Sequence, residues 1–308
     1  MIYSATAIVA PLGRWSSRIA LFAASLMVID VLLHRLTPFP TLVAINLFAV
    51  GIAGMILACL IALLALVQIW RRGYKGAGSA AIGLLLPAVA LVWPISYLPA
   101  YLNLPPINDV TTDVVQPPSF GELTRQRAAD SNPTAYPAER FASLQQAAYP
   151  DLHTFVMDRP AEEAFELVEE VVHRLRWRVA ASTPPSARPA RNGTLEATDQ
   201  TLLAGFTDDI VIRVDGGANR TRIDMRSASR YGRHDFGQNA TRVRRFLTEL
   251  QARAESTLPA TVARRASRSG ALVKKLRDRD QKKAESRTSR DRARPGAPHG
   301  RGQKETRR

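Results

Sequence analysis

A short basic loop between two long uncharged runs constrains this chain more than any other feature. The basic loop comprises Arg71, Arg72, Gly73, Tyr74 and Lys75. No charged side chain occurs in residues 36–70 before it or in residues 76–108 after it. Two apolar runs joined by a basic loop are typical of a membrane hairpin whose loop stays in the cytoplasm. The side of the membrane on which the basic loop lies therefore decides where the rest of the chain lies.

Three apolar stretches predict three membrane-spanning helices, in residues 19–36, 42–70 and 79–98. The second stretch exceeds the roughly 20 residues that a helix needs to cross the hydrocarbon core. The third contains prolines, which membrane helices tolerate where neighbouring groups satisfy the freed carbonyls, so we expect a kinked helix that ends near Pro99. A cleaved signal peptide is the alternative for the first stretch, because basic residues precede a short apolar run.

The orientation of the spans follows from the positions of the basic residues. With the basic loop in the cytoplasm, the third span exits on the other face, and residues beyond 103 lie outside the cytoplasm. Arg14 and Arg18 precede the first span and favour a cytoplasmic amino terminus. The sequence therefore predicts a protein of the bacterial inner membrane with a periplasmic carboxy-terminal domain.

Two sets of residues within the spans are candidates for function. Asp30 and His34 lie four residues apart on one helical face, and an acid inside a membrane can mark an ion pathway. A polar cluster at the bilayer boundary is the alternative, because both residues lie at the outward end of their span. Gly54, Ala58 and Ala62 recur at every fourth position, which lets a neighbouring helix approach closely. This stripe predicts packing within the chain's own bundle, with a homo-oligomer contact as the alternative.

Composition divides the chain into four parts. Residues 1–102 form the three-span transmembrane region. Residues 103–152 are rich in proline, which removes backbone donors and restricts the preceding residue, so we expect an extended linker packed on the following domain. Residues 153–254 form the folded domain. Residues 255–308 contain too few apolar side chains to form a core, which predicts a disordered tail.

Most of the net charge of +15 belongs to this tail, because residues 261–308 carry 17 basic and five acidic side chains. The tail has no aromatic residue on which bases could stack, which makes specific binding to nucleic acid improbable. On the outer face of the membrane, we expect such a tail to bind anionic lipid headgroups or wall polymers.

The folded domain alternates between helix and strand patterns. Apolar spacing predicts one helix that begins near residue 158 and another over residues 236–252, capped by Asp235. Five strands are predicted, in residues 155–156, 177–181, 194–201, 205–215 and 220–228. Apolar and charged side chains alternate in the last two, and Gly216 and Gly217 are expected to supply positive backbone angles for the hairpin between them. The order predicts an α+β domain, an antiparallel sheet with two helices on one face.

Two blocks of this part of the chain resemble a known family. They are INDVTTDVVQPPSF in residues 107–120 and GFTDDIVIRVDGGANRTRIDMRSASRYGRHDFGQNATRVRR in residues 205–245. Over roughly residues 107–250 the chain is similar to the bacterial and plastid family catalogued as domain of unknown function 1499. The resemblance implies an envelope-facing α+β module with membrane-attached relatives, and it implies no agreed activity, cofactor or catalytic residue.

The densest polar cluster of the domain surrounds the end of the last predicted strand. Its candidate ligand-binding residues are Asp208, Asp209, Asp224, Arg226, Arg230, Tyr231, Arg233 and Asp235. Arginines can bind phosphate or carboxylate groups, and a helix amino terminus favours negative charge, so the functional hypothesis is an anionic envelope ligand. The structural alternative assigns the same residues to cross-strand ion pairs, a helix cap at Asp235 and a turn.

Other chemistries find little support in the sequence. Cys59 is the only cysteine, so neither an intramolecular disulfide nor a cysteine-based metal site can form. His153, His173 and His234 lack a metal-ligand spacing such as HExxH, and no phosphate loop or GxGxxG motif predicts a cofactor. The sequence therefore predicts a binding or structural envelope module without catalytic residues. An enzyme that acts on an anionic envelope substrate through the Asp/Arg cluster is the alternative.

Overall fold

The computed structural model describes residues 9–187 and 190–257 of the 308-residue chain. Its helices are Pro11–Leu36 (α1), Thr41–Arg72 (α2), Ala77–Ala90 (α3), Val92–Ser96 (α4), Leu98–Asn103 (α5), Glu122–Gln126 (α6), Ala138–Ala148 (α7), Ala161–Arg174 (α8) and Gln238–Ser256 (α9). Its strands are Asp109–Thr111 (β1), Phe155–Met157 (β2), Arg178–Thr183 (β3), Ser186–Ala187 (β4), Ala190–Arg191 (β5), Gly193–Gln200 (β6), Thr207–Gly216 (β7) and Thr221–Ser229 (β8). Most of the predicted basic tail lies outside the described residues.

Within the described ranges, α1 and α2 are the two helices that are each long and apolar enough to cross a membrane. A third crossing is counted only if α3 and the α4–α5 segment, which meet at a bend of 40°, form one span. The bend has a simple cause, because Pro94 has no amide hydrogen to donate to the carbonyl of Ala90. The predicted spans in residues 19–36 and 42–70 are confirmed as apolar helices, and the third stays a prediction.

Small residues let the first helices pack closely. A Cβ added to Gly54 of α2 would lie 3.0 Å from the Cβ of Ala23 of α1. Ala58 and Ala62 of the same stripe are fully buried within the chain. The stripe thus packs inside the helical bundle, and a homo-oligomer contact through it stays a prediction.

The basic loop and the α+β domain lie at opposite ends of this bundle. At one end, the amide of Ala10 donates to the carbonyl of Lys75 at 2.9 Å. At the other end, His34 lies between the start of α2 and the domain: its Nε2 is 3.0 Å from Oγ1 of Thr41, and its Nδ1 donates to the carbonyl of Ala204 at 2.6 Å. Helix α2 connects the two ends with 32 residues, a length of about 48 Å.

The main sheet is antiparallel, with strand order β1-β8-β7-β6-β3, and β2 pairs with the other end of β8. Strands β4 and β5 form a separate small hairpin. The five strands and two helices predicted for residues 153–254 are all present, which confirms the α+β class. The sheet also takes β1 from the predicted linker, residues 103–152.

Helices α8 and α9 pack on one face of this sheet, which we call the apolar face. The face carries fully buried side chains at Ile210, Ile212, Val214, Ile223 and Met225. Gly193 of β6 lies against the ring of Phe165 of α8, and Phe246 of α9 stacks on Trp177 with 5.9 Å between the ring centroids. The predicted alternation along β7 and β8 is confirmed by this packing.

The hairpin between β7 and β8 forms as predicted but with a different backbone geometry. Neither Gly216 nor Gly217 has the predicted positive φ. A Cβ on Gly216 would lie 2.6 Å from Oγ1 of Thr221 and 2.7 Å from the carbonyl oxygen of Arg220. Glycine is therefore required at position 216 by the lack of space and not by the backbone angle.

The other face of the sheet, which we call the polar face, lies under residues 112–137, the covering segment. The prediction of an extended linker is wrong for residues 122–126 and 138–148, because they form α6, within the covering segment, and α7, directly after it. Helix α6 begins where the carboxylate of Glu196 on β6 accepts hydrogen bonds from its first amides. Because Glu196 lies 75 residues from Gly121 along the chain, the local sequence around α6 does not indicate where this helix begins.

Candidate functional site

Charged side chains occupy the polar face because they alternate with apolar ones along β7 and β8. The cross-strand partners on this face are Asp209 with Ala228, Val211 with Arg226, Arg213 with Asp224 and Asp215 with Arg222. Beneath the covering segment, Asp209, Asp224 and Arg226 each expose 2% or less of their surface. Buried charges cost free energy unless they are paired, so the pairing decides what this face can do.

Arg226 is the centre of the polar face. Its Nε and Nη2 donate to the two carboxylate oxygens of Asp109 at 2.9 and 2.6 Å. Its remaining hydrogen bonds go to the carbonyls of Pro118 at 3.1 Å and Thr134 at 2.8 Å in the covering segment. The guanidinium carbon lies 4.7 Å from the centroid of the Phe120 ring, a cation–π contact. This side chain is used entirely to hold β1 and the covering segment on the sheet.

Burial affects the ionisation of the groups around Arg226. It raises the pKa of Asp109, against the hydrogen bonds and the charge of Arg226. Burial and the charge of Asp109 also raise the pKa of Tyr136, which keeps the phenol neutral. The Tyr136 hydroxyl donates to Oε1 of Gln145 at 3.3 Å, and the same side-chain amide pairs with both backbone groups of Thr111. These contacts tie α7 to β1.

Asp209 is shared between two arginines. Nε of Arg127, from the covering segment, donates to Oδ2 at 2.6 Å, and Nε and Nη2 of Arg230 donate to Oδ1 at 2.9 and 2.7 Å. Arg127 also donates from Nη1 to the carbonyl of Asn132 at 2.8 Å. The two guanidinium groups thus close the covering segment over a fully buried carboxylate.

Asp224 is the third buried charged residue of the polar face, and its carboxylate accepts hydrogen bonds from three side chains. Oγ1 of Thr154 and Oγ1 of Thr112 donate to its Oδ1 at 2.6 and 3.2 Å. Nη2 of Arg213 donates to its Oδ2 at 2.8 Å and to Asp113 at 3.2 Å. The start of the covering segment is therefore anchored to the sheet through charged hydrogen bonds.

Asp208 lies on the opposite, apolar face of the sheet. Its Oδ2 accepts from Nη2 of Arg242 on α9 at 2.7 Å, and Nε of the same arginine donates to Asp199 at 2.8 Å. Nη1 of Arg242 completes the set with Asn239 at 2.8 Å and Ser227 at 3.1 Å. Consecutive residues Asp208 and Asp209 thus belong to two separate networks.

The loop between β8 and α9 holds the remaining predicted site residues. Oδ1 and Oδ2 of Asp235 accept from the amides of Gly237 and Asn239 at 2.9 and 2.8 Å, so the predicted helix cap is present. Burial raises the pKa of Asp235, and these backbone bonds oppose the rise. The Tyr231 hydroxyl donates to Asp130 at 3.0 Å. Arg233 is exposed to solvent.

A groove of about 530 Å³ opens at one side of the covering segment. It is lined by Pro118 and Ser119 of that segment and by Thr194 and Arg213 of the sheet. None of the eight predicted ligand-binding residues lines it. In residues 9–187 and 190–257, no group of three or more His, Cys, Asp or Glu side chains could hold a metal ion.

Several residues that organise the site were not predicted from the sequence. Asp109 and Arg127 lie in the segment interpreted as a linker, and Glu196 lies in a strand whose other polar residues are exposed or half-buried. The position of Arg242 could have been predicted from helical spacing. It follows Asn239 by three residues and precedes Phe246 by four, which places all three on one face of the helix.

Residues 109–250 match the model of the family described as "Protein of unknown function (DUF1499)". The match spans β1, the covering segment, the sheet and most of α9. No curated protein and no solved structure matches the chain.

Proposed function

We propose that this chain, whose residues 109–250 belong to the DUF1499 family, crosses the bacterial inner membrane three times and holds a binding or structural module on the periplasmic side. The observation that carries the proposal is the position of the basic loop and the domain at opposite ends of the apolar bundle. Helix α2, at about 48 Å, is longer than the hydrocarbon core of about 30 Å. Because basic loops stay in the cytoplasm, the domain at the other end faces away from it.

The third crossing is supported by where α3 begins and where α5 ends. Near the start of α3, a Cβ on Gly13 would lie 3.3 Å from the carbonyl oxygen of Gly76, close to the basic loop. Beyond α5, the carbonyl of Leu104 lies 3.2 Å from Nε2 of His234 in the domain. Residues 77–103 therefore return from one end of the bundle to the other, over about 40 Å if helical.

A binding or structural role fits the polar face better than catalysis does. A concave pocket that holds Asp208, Arg226 and Asp235 together would favour an enzyme or a small-ligand binder. Instead, Asp208 bonds to α9 on the apolar face, Arg226 is buried under the covering segment, and Asp235 caps a helix. The charged residues therefore stabilise the fold, and the outer surface of the domain is left for binding.

Anionic ligand binding by the predicted cluster depends on its exposed member. In the Arg233→Ala variant of the detergent-purified chain, we expect weaker binding of a soluble, phosphate-bearing lipid headgroup at an unchanged melting temperature. Arg222→Ala, which removes a mostly exposed arginine near the other end of β8, is the matched control. Equal binding by the two variants and the unmodified chain would remove the ligand role of Arg233.

Topology reporters test the proposed placement. Alkaline phosphatase is active only outside the cytoplasm, so a fusion after Leu250 should be active and a fusion after Gly73 inactive. A cytosolic fluorescent protein at the same two positions should give the reverse pattern. A fluorescent fusion after Leu250 with silent phosphatase would contradict the proposal.

A further inference from the structure

Two leucines project from the domain beside the membrane helices. They lie in residues 201–206, the leucine loop, which connects β6 to β7. Leu202 is 88% exposed and Leu203 is 50% exposed, although both are large apolar side chains. Two adjacent exposed leucines beside the apolar helices form a patch that an apolar partner would cover.

The leucine loop is attached to the last turn of α1. His34 donates to the carbonyl of Ala204 at 2.6 Å, and Nη1 of Arg35 donates to the carbonyl of Thr201 at 3.2 Å. The imidazole of His34 also lies 5.1 Å from the ring centroid of Phe206. Both ends of the loop are therefore held against the same helix end, with the two leucines between them.

The length of α1 sets the depth of this contact. Arg18 is the last charged residue before the apolar stretch, and residues 19–36 rise about 27 Å as a helix. The hydrocarbon core is about 30 Å thick. The last turn of α1 therefore reaches the boundary between hydrocarbon and headgroups, and the leucine loop lies at the same level.

Three of the six backbone amides of the leucine loop are hydrogen-bonded within the loop. The amide of Thr201 donates to the carbonyl of Phe206, the amide of Gly205 donates to the carbonyl of Thr201, and the amide of Phe206 donates to Oγ1 of Thr201. These bonds reduce the number of unsatisfied backbone groups at a level where water is scarce.

A second contact fixes the same end of the domain at this level. Phe236, before α9, lies 5.4 Å from the ring centroid of Tyr97 and 6.4 Å from that of Tyr101. Trp93 packs edge-on against Tyr97 at 5.7 Å. Tryptophan and tyrosine are enriched at membrane interfaces, so this aromatic group is consistent with a bilayer boundary here.

We infer that Leu202 and Leu203 insert into the boundary of the bilayer that α1 and α2 cross, and that the domain rests on lipid at this loop. The inference rests on the proposed membrane placement. The partner is the acyl region just beneath the headgroups, because the leucines adjoin helices whose own exposed surface is apolar. Arg35, beside them, is placed to meet lipid phosphate.

Collision measurements on nitroxide labels in proteoliposomes test this inference. In a Cys59→Ala chain, a label is attached at Leu202→Cys, and its collision rates with oxygen and with a water-soluble nickel chelate are compared. Oxygen concentrates in lipid and the chelate in water. We expect oxygen collisions to dominate at position 202.

Two control positions make the result decisive. Leu60→Cys labels an exposed position in the middle of α2 and should report lipid. Val115→Cys labels a residue that is 84% exposed. Its place on the domain is given by Asp113, two residues earlier, whose carboxylate lies 4.0 Å from Nη2 of Arg222 on β8. Arg222 lies about 23 Å along β8 from the strand end that is nearest the helical bundle. A label at position 115 is therefore far from the bilayer and should collide mainly with the water-soluble chelate.

Each outcome separates the inference from the proposed function. Oxygen-dominated collisions at 60 and 202, with nickel-dominated collisions at 115, support the inference. Nickel-dominated collisions at 202 with oxygen-dominated collisions at 60 overturn the inference and leave the spans intact. Nickel-dominated collisions at 60 overturn the membrane placement itself and the inference with it. Identical behaviour at 115 and 202 also overturns the inference.

Discussion

Arg226 donates hydrogen bonds to both carboxylate oxygens of Asp109, across 117 residues of sequence and in the fully buried interior of the polar face. The pair joins β1 to β8, and the other hydrogen bonds of Arg226 hold the covering segment. Removing one partner of such a pair leaves an uncompensated buried charge, which is far more costly than the loss of a surface ion pair.

For this reason we expect Arg226→Met to lower the free energy of unfolding of the domain by about 3–5 kcal/mol. Arg222→Met is the matched control, because its side chain is 58% exposed, and such a change costs at most about 1 kcal/mol. Urea unfolding of the detergent-purified full chain, followed by intrinsic fluorescence, measures both. A double variant with Asp109→Leu should recover part of the loss, and equal losses for the two single variants would refute the role of the pair.

The network on the apolar face predicts a similar contrast within one helix. Arg242 is buried among Asp208, Asp199 and Asn239, whereas Arg244 pairs with Asp151 at the surface. Arg242→Met should lower the melting temperature by on the order of 10 °C, and Arg244→Met by only a few degrees. Differential scanning fluorimetry distinguishes them, and a larger effect at position 244 would contradict the assignment.

Glu196 is expected to hold α6 through three backbone amides. Its carboxylate accepts from Gly121, Glu122 and Leu123 at 2.8 to 3.0 Å. Glu196→Ala leaves at least one buried donor unsatisfied, a cost of about 1–3 kcal/mol, and should open α6 to trypsin at Arg125. We expect trypsin to cleave at Arg125 faster in Glu196→Ala than in the control variant Glu163→Ala, which alters the exposed side of α8. Unchanged cleavage would show that α6 holds without this cap.

The sequence allowed prediction of the elements whose signal is local. Alternation identified β7 and β8, helical spacing identified α8 and α9, and Asp235 marked the start of the last helix. Helix α6 of the covering segment was missed because it is capped from a distant strand. Charges could be assigned to the polar face, but no pattern could pair Arg226 with Asp109, so far apart along the chain.

One error in the candidate site was avoidable from the sequence. Asp208 and Asp209 were grouped together, although successive strand residues point to opposite faces. The structure accordingly divides them, with Asp208 bound to α9 and Asp209 bound to the covering segment. Arg230, Tyr231 and Arg233 follow the end of β8, where the alternation no longer assigns a face.

The contact between the helical bundle and the domain makes a separate prediction. The imidazole of His34 donates to the carbonyl of Ala204 in the loop, and one lost hydrogen bond of about 1 kcal/mol corresponds to an opening favoured by about fivefold. In His34→Ala, amides in residues 201–206 should exchange hydrogen faster by about that factor. His173→Ala on the exposed surface of α8 is the control, and unchanged protection of the loop would argue against docking through His34.

The side of the membrane on which the domain lies is tested most directly by thiol labelling in intact cells. In a Cys59→Ala chain, Gly217→Cys and Gly78→Cys are suitable, because a Cβ at either position meets no atom within 4 Å. Position 217 lies in the hairpin of the domain and position 78 lies beside the basic loop. We expect a membrane-impermeant maleimide to label Gly217→Cys in intact cells and Gly78→Cys only after permeabilisation. Labelling of Gly78→Cys in intact cells, with Gly217→Cys protected, would contradict this expectation.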